Sequence, residues 1–275
     1  MLQLSQSKID SWTTCERQFQ LRYVERSEWP AAPYSAESIA AMGLGEAFHM
    51  LVAQRILLGP LFVAPSGMEP LLQKWWDDFL QQGLLQRFDQ QSISKGRVET
   101  SLAVQINEHI KLIGRVDLLW IGKGSIELFD WKTGRSRTKL DLEHDWQTRI
   151  YMALLYQLRH VLFDGEITAE QISMTYWYVR EPKQSVKMSF DEAWHQQNWA
   201  DLVTLAEQIE NRLNDDGRTL WPLTPDHKAC GRCLFNALCG RELAQPQVAA
   251  AWEQDEEEDD ESALSFVEAD IHPDI

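Results

Sequence analysis

The stretch IKLIGRVDLLWIGKGSIELFDWKTG, Ile110 to Gly134, decides the fold. Ile110 to Ile121 reads as a strand, Gly122-Lys123-Gly124 is a hairpin signal, and Ser125 to Trp131 reads as the returning strand. Just upstream, Val98 to Ile106 alternates in strand fashion and Asn107-Glu108 supplies a turn, so the three segments predict a meander. Side chains alternate faces along a strand, which puts Asp130 and Lys132 on the same side, and a tight hairpin brings Asp117 alongside them.

Outward from the meander the spacing becomes helical. Ser5 or Ser7 can cap a helix that runs past Trp12 toward Phe19 and Tyr23. After a loop through Pro30 and Pro33, a helix is expected over about Ala36 to Leu57, closed by Gly59-Pro60, and another over Glu69 to Phe88. Downstream, Trp146, Ile150, Leu154 and Leu158 share one face of a helix from about Glu143 to His160. A β-rich run follows at Ile172 to Val179, with Ser185 to Phe190 as a short neighbour. Asp191 then caps a helix to Leu213. Helices, three strands, a helix, one or two strands and a helix predict a mixed α/β protein on a single central sheet.

With 44% hydrophobic and 25% charged residues over 275 positions, the composition is that of a globular protein, and it excludes a fibrous or wholly disordered chain. No stretch reaches the roughly 18–20 consecutive apolar residues of a membrane helix, and Met1 to Asp10 lack the pattern of a secretory signal. A cytoplasmic location and no membrane partner are therefore expected. The net charge of −16 is unevenly spread: of 42 acids, 11 lie between Glu253 and Ile275, which holds no Lys or Arg, leaving 31 acids against 26 bases in the preceding chain. The body is only mildly acidic, which permits a local basic groove for nucleic acid. The tail is expected to be disordered, because Glu253 to Glu261 carries eight acids in nine residues and the apolar periodicity ends after Leu243. The expected division is a domain over 1–243 and an acidic tail over 244–275.

Asp117 and Asp130 offer hard oxygen ligands suited to Mg2+ or Mn2+, and Lys132 beside them suits the charge that develops on a phosphoryl group. Taken by itself the trio also reads as a cross-strand ion pair at a sheet rim. His49 lies four residues after Gly45 on the second helix, and Gln147 and Tyr151 share one helix face at i and i+4.

In this order the motifs resemble the RecB-like branch of the PD-(D/E)XK nuclease superfamily. The resemblance rests on Leu4-Ser5-Gln6-Ser7 with Cys15 and Phe19-Gln20-Leu21-Arg22-Tyr23. It continues through Gly45-x3-His49, Gly114-Arg115-Val116-Asp117, Asp130-Trp131-Lys132-Thr133-Gly134 and Gln147-x3-Tyr151 to the cysteine segment, covering about residues 2–240. It implies a restriction-endonuclease-like core and a metal-dependent deoxyribonuclease, an exonuclease on single-stranded DNA ends in repair, recombination or CRISPR-related processing. It also implies that His49, Asp117, Asp130 and the backbone carbonyl of Trp131 bind Mg2+ or Mn2+. Lys132 is then the catalytic lysine, and Gln147 and Tyr151 hold DNA or the site. Tryptophan stands at 131 where tyrosine is frequent. The rival from another class is a DNA-binding or assembly subunit that no longer cuts.

The four cysteines are Cys15, Cys230, Cys233 and Cys239. Three thiols within ten residues read as metal ligands, for Zn2+ or an iron–sulfur cluster. One N-terminal and three C-terminal cysteines are similar to the cluster-bearing CRISPR-associated RecB-like exonucleases and the AddB nuclease domain, which implies a 4Fe–4S cluster closing the domain ends; zinc is the alternative. Arg115, Lys123, Arg135, Arg137, Lys139 and Arg149 admit two readings, a strand-binding groove or a solvated face. The twelve tryptophans admit base stacking, but their helical and strand spacing reads more as core; the exposure of Trp12, Trp146 and Trp177 distinguishes the two. No phosphate-binding Gly-Lys-Ser/Thr loop is present, so unwinding requires a partner, a helicase; an integrase is the other partner considered.

Overall fold

The computed structural model describes residues 1–27, 36–90, 96–214, 220–231, 233–241 and 267–269. The loop through Pro30 and Pro33 and most of the acidic tail lie outside them. The elements are β1 (Leu2–Leu4), α1 (Gln6–Thr14), α2 (Glu16–Phe19), α3 (Ala36–Leu58), α4 (Pro70–Leu80), α5 (Gly83–Gln90), β2 (Gly96–Gln105), β3 (Ile110–Ile121), β4 (Ile126–Lys132), α6 (Lys139–Glu143), α7 (Trp146–Leu162), β5 (Ile172–Tyr178), β6 (Val186–Met188), α8 (Glu192–Asn214), α9 (His227–Cys230) and β7 (Val267–Ala269). The strands form one mixed sheet in the order β6-β5-β4-β3-β2-β7, with β1 also on β3. The expected meander is β2-β3-β4, both pairings antiparallel, and β4 to β5 is the parallel crossover through α7. This is the restriction-endonuclease-like α/β architecture.

Each face of the sheet carries its own apolar core. On one face Ile150, Leu154 and Leu158 of α7 meet Leu102, Leu112, Leu128, Ile172 and Met174. On the other, Phe48 and Val52 of α3, Trp75, Trp76 and Phe79 of α4 and Phe88 of α5 cover Leu118, Trp120, Phe129, Trp131 and Trp177. That second core is rich in aromatic rings, with Phe79 edge-on to both Trp131 and Trp177 at 5.4 Å.

Three expectations are corrected. The helix expected over Glu69–Phe88 is two, because α4 closes at Gln81, Gln82 N–H turning back to the Phe79 carbonyl at 3.0 Å, and Gly83 restarts the chain. The break lets Trp75, Trp76 and Phe79 and then Leu85 and Phe88 reach the same core. At the N-terminus, Leu2–Leu4 is a strand before the helix begins, and the helix itself ends at Thr14, continuing as α2 and a π-helical turn, Gln20–Val24. The tail is not wholly irregular: Val267–Ala269 runs parallel to β2 with Val267 opposite Leu102.

Candidate active site and thiol pocket

β3 is twelve residues long, and its length creates the site. One edge pairs with β2 from end to end. The other edge pairs with β1 at Ile110–Leu112 and with β4 only at Leu118–Ile121. β1 runs parallel to β3 and β4 antiparallel, so the carboxyl ends of both strands converge on the gap beside Gly114–Asp117. Where the β3–β4 ladder stops, the Asp117 side chain takes over: its Oδ2 accepts the Trp131 backbone N–H at 2.7 Å.

Asp117 also marks a fault in the pleat. Val116 belongs to the α7 core, yet Leu118, two residues on, belongs to the opposite core, so simple alternation fails at the residue between them. Directly across, bracketed by the pairs Val98–Leu118 and Thr100–Val116, Glu99 has φ of 47°, a left-handed conformation costly for a residue with a side chain. The result is two carboxylates delivered to one place from adjacent strands. α3 brings the third group, with His49 Nδ1 3.3 Å from Asp117 Oδ1. Among the described residues, His49, Glu99 and Asp117 are the group of three whose ligand atoms all lie within 4.8 Å of one another. An imidazole nitrogen and two carboxylate oxygens suit Mg2+ or Mn2+.

The structure thus joins His49 and Asp117 as the motifs implied, and adds Glu99, which sequence reading missed. Its signal was the single acid of strand β2, opposite Asp117. Burial, and then the Asp117 carboxylate, push Glu99 above the ordinary carboxylate range, while Arg115, its ion-pair partner at 3.0 Å, and His49 pull it back. Crowded like charges of this kind are relieved by a cation.

Asp130 and Lys132 do lie on one face, with Lys132 Nζ 3.0 Å from Asp130 Oδ2. Asp130 is nearly buried, at 3% exposure. Its other oxygen accepts a hydrogen bond from Gln147 Nε2 at 3.1 Å, so the carboxylate stands beside the triad, outside the 4.8 Å group. Gln147 and Tyr151 sit on the sheet-facing side of α7, with Gln147 Nε2 3.4 Å from Tyr151 Oη. Tyr151 Oη donates to the Arg115 carbonyl. Gly114 makes that approach possible, since a Cβ there would come within 2.8 Å of the Tyr151 ring and 2.9 Å of Leu154. The glycine of Gly45-x3-His49 faces Thr133, whose Oγ1 lies 3.4 Å from where its Cβ would stand. In this way α3 crosses close over the end of the Asp130-Trp131-Lys132 strand.

The family model of the PD-(D/E)XK nuclease superfamily matches residues 3–240. The chain belongs to the PD-(D/E)XK nuclease superfamily. Among solved structures, the nuclease resembles a protein of Eubacterium rectale described as "Putative exonuclease" (11% identity, TM-score 0.50, covering 88% of this chain and 89% of that one). It also matches SSO0001 (16% identity, TM-score 0.39, 88% of each chain). At 11% identity the likeness to the first is one of fold. No curated protein matches it. No helix among the described residues is long and apolar enough to cross a membrane.

Far along the sequence from the carboxylates, but brought into one pocket, lie Cys15, Cys230, Cys233 and Cys239, lined also by Thr14 and Phe235. Burial pushes the Cys233 thiol up to about 11, with the other three cysteines adding to it. Burial raises Cys239 as well, and Arg17 opposes it. The pocket also holds donors for thiolate sulfur: the Phe235 N–H is 3.4 Å from Cys233 Sγ and Arg241 Nη1 is 3.3 Å from Cys230 Sγ. The sulfurs form no group of three within 4.8 Å of one another. Arg17 ties the N-terminal side to the C-terminal side by donating twice to the Trp221 carbonyl, at 2.9 and 2.7 Å.

Four of the six basic residues pair with acids of the fold, and Lys123 and Arg135 are exposed. Arg115 pairs with Glu99, Arg137 with Asp145, Lys139 with Glu143 and Arg149 with Asp201. Trp12 and Trp177 are buried, so neither stacks on bases. Trp146 is half-buried with the Arg149 guanidinium 4.3 Å above its ring.

Proposed function

We propose that this nuclease is a metal-dependent deoxyribonuclease of the RecB-like branch, an exonuclease on single-stranded DNA ends. One observation carries the reading: the convergence of His49, Glu99 and Asp117 within 4.8 Å, beside Asp130 and Lys132. His49, Glu99 and Asp117 would hold Mg2+ or Mn2+, with Asp130 and the Trp131 carbonyl as the further ligands that the family motif implies. A divalent ion held there would supply Lewis-acid polarisation of the phosphoryl group and lower the pKa of water. Lys132, held by Asp130 at 3.0 Å and partly open to solvent, presents its ammonium to the charge developing on the phosphate. Gln147 and Tyr151 fix Asp130 and β3 so that the groups need not reorganise.

The second proposed cofactor is a 4Fe–4S cluster at the four cysteines. Two features support it: the thiols share one pocket, and N–H donors face two of the sulfurs. The cluster would close residues 1–243 as one nuclease domain, with 244–275 as an acidic appendage. Free thiols and a labile cluster fit a reducing cytoplasm, and duplex unwinding falls to a partner.

The test is cleavage of end-labelled single-stranded DNA by anaerobically purified protein with Mn2+ or Mg2+, each end labelled in turn, beside Asp130→Ala and Lys132→Ala. Metal-dependent products lost in both variants are expected. A folded, iron-loaded protein that binds DNA without cutting single-stranded or duplex substrates would replace this reading with the assembly-subunit one. Iron and sulfide analysis of the same preparation decides between cluster and zinc.

A further inference from the structure

Behind Asp130 lies a buried polar chain that extends past the Gln147-x3-Tyr151 motif to Thr148 and Tyr176. The parallel register of β4 and β5 sets Tyr176 directly beside Asp130, and both side chains face α7. Gln147, Thr148 and Tyr176 are buried to 6, 0 and 0% exposure, so their polar atoms must satisfy one another. The contacts are Gln147 Nε2 to Asp130 Oδ1 at 3.1 Å, Tyr176 Oη to Gln147 Oε1 at 3.4 Å, and Thr148 Oγ1 to Tyr176 Oη at 3.0 Å.

Donor and acceptor capacity fixes the direction of this chain. An ionised Asp130 only accepts, so Gln147 must present its NH2 end, which leaves Oε1 to accept. Its donor is the Tyr176 hydroxyl, which then has its oxygen free to accept from Thr148. The second Gln147 N–H reaches Tyr151 Oη at 3.4 Å, whose own proton goes to the Arg115 carbonyl. Reversing the Gln147 amide would set two acceptors against each other at Asp130 and leave Tyr176 with no acceptor there.

We infer that Thr148 and Tyr176 are positioning residues of the nuclease: together they lock the Gln147 amide so that it orients Asp130 toward the metal and Lys132. The inference rests on the proposed metal site and adds to it. Tyr176 has a second role that is separable, since its ring lies under Lys132 Nζ at 5.8 Å. Tyr176→Phe removes the hydroxyl and keeps the ring.

The experiment is Mn2+ binding by calorimetry to the full-length, cluster-intact protein, with cleavage measured across Mn2+ concentration and the thermal midpoint as a control. Tyr176→Phe is expected to raise the Mn2+ Kd about tenfold, the scale of lost outer-shell partners, with most cleavage regained at saturating Mn2+. Thr148→Val should raise it about threefold, Thr148→Ser, which keeps the hydroxyl, should regain the affinity, and Thr148→Val should add nothing in a Tyr176→Phe background, because Thr148 acts through Tyr176. A wild-type protein that binds Mn2+ and cuts DNA while Tyr176→Phe binds within about twofold of it would overturn the inference alone, as would additive effects in the double variant. A wild-type protein that binds no Mn2+ would overturn the metal site and the inference with it. If it binds Mn2+ but cuts nothing, a loss of affinity in Tyr176→Phe still supports the inference.

Discussion

The carboxylate site and the thiol pocket are built in opposite ways. Asp117, Asp130 and Lys132 come from one hairpin, sixteen positions from first to last, and the register of adjacent strands places them with little help from the rest of the chain. The thiol pocket gathers Cys15 from behind α1 and three cysteines from beyond α8, across more than 200 residues. The first is a site made by local geometry, rich in hard oxygen donors. The second is soft, and it exists only because the tertiary structure does. Chemistry should therefore depend on the first and cohesion on the second.

The largest separation of the two is expected from Asp117→Ala, which should cut cleavage by about 10³-fold while leaving the iron content of the protein unchanged. An equal loss of iron would show that the sites are not independent. Cys233→Ser should do the reverse, lowering stability by about 3 kcal/mol or more, on the scale of closing a loop of this length. Chemical denaturation reads that loss, and cleavage at low temperature should survive it. A Cys233→Ser protein that is fully stable yet inactive would invert the comparison.

A third measurement concerns cohesion away from both sites. His195 is buried with neither ring nitrogen hydrogen-bonded and stacks on Tyr156 at 4.4 Å. Burial first, opposed by Glu192 and assisted by Arg159, lowers its pKa from 6.5 to about 4. Below pH 6.5 the unfolded chain gains a proton that the folded one refuses until about pH 4. Stability from this residue is whole above pH 6.5, falls through that window by about 3 kcal/mol, and is flat below it. Urea midpoints at pH 7 and pH 4.5, compared with His195→Phe, measure it; an unchanged acid slope in the variant would remove His195 as the cause.

The smallest effect expected is at Glu99. Glu99→Gln should weaken Mn2+ binding about tenfold, whereas Glu99→Gly should stabilise the metal-free fold by about 1 kcal/mol by relieving its left-handed backbone. Loss of stability in Glu99→Gly would mean that the Arg115 pair outweighs the strain.

The hairpin, the crossover helix and the positions of His49, Gln147 and Tyr151 were legible in the sequence because they follow from short-range periodicity and from motifs of fixed spacing. Glu99 was not, because a strand residue at positive φ breaks the alternation from which facing is read. The neutralised arginines were equally hidden: Arg149 meets Asp201 across 52 residues, and no pattern along the chain announces such a pair. Tyr176 and Thr148 looked like ordinary strand and helix filling until the parallel register set one beside Asp130. The gap in β3's second edge depends on β1, a three-residue strand too short to read as one.

That short strand and the cysteine behind α1 also bear on the order in which the protein forms. As the chain leaves the ribosome, everything the carboxylate site needs has emerged by Tyr176, while the N-terminal helices still wait for Trp221, whose carbonyl Arg17 holds and whose N–H reaches Gln20 at 2.9 Å. Such distant pairings form last. For the final third of synthesis, the nascent nuclease carries a nearly assembled catalytic sheet whose opening segment is not yet fastened. Closure of the thiol pocket then becomes the event that ends maturation.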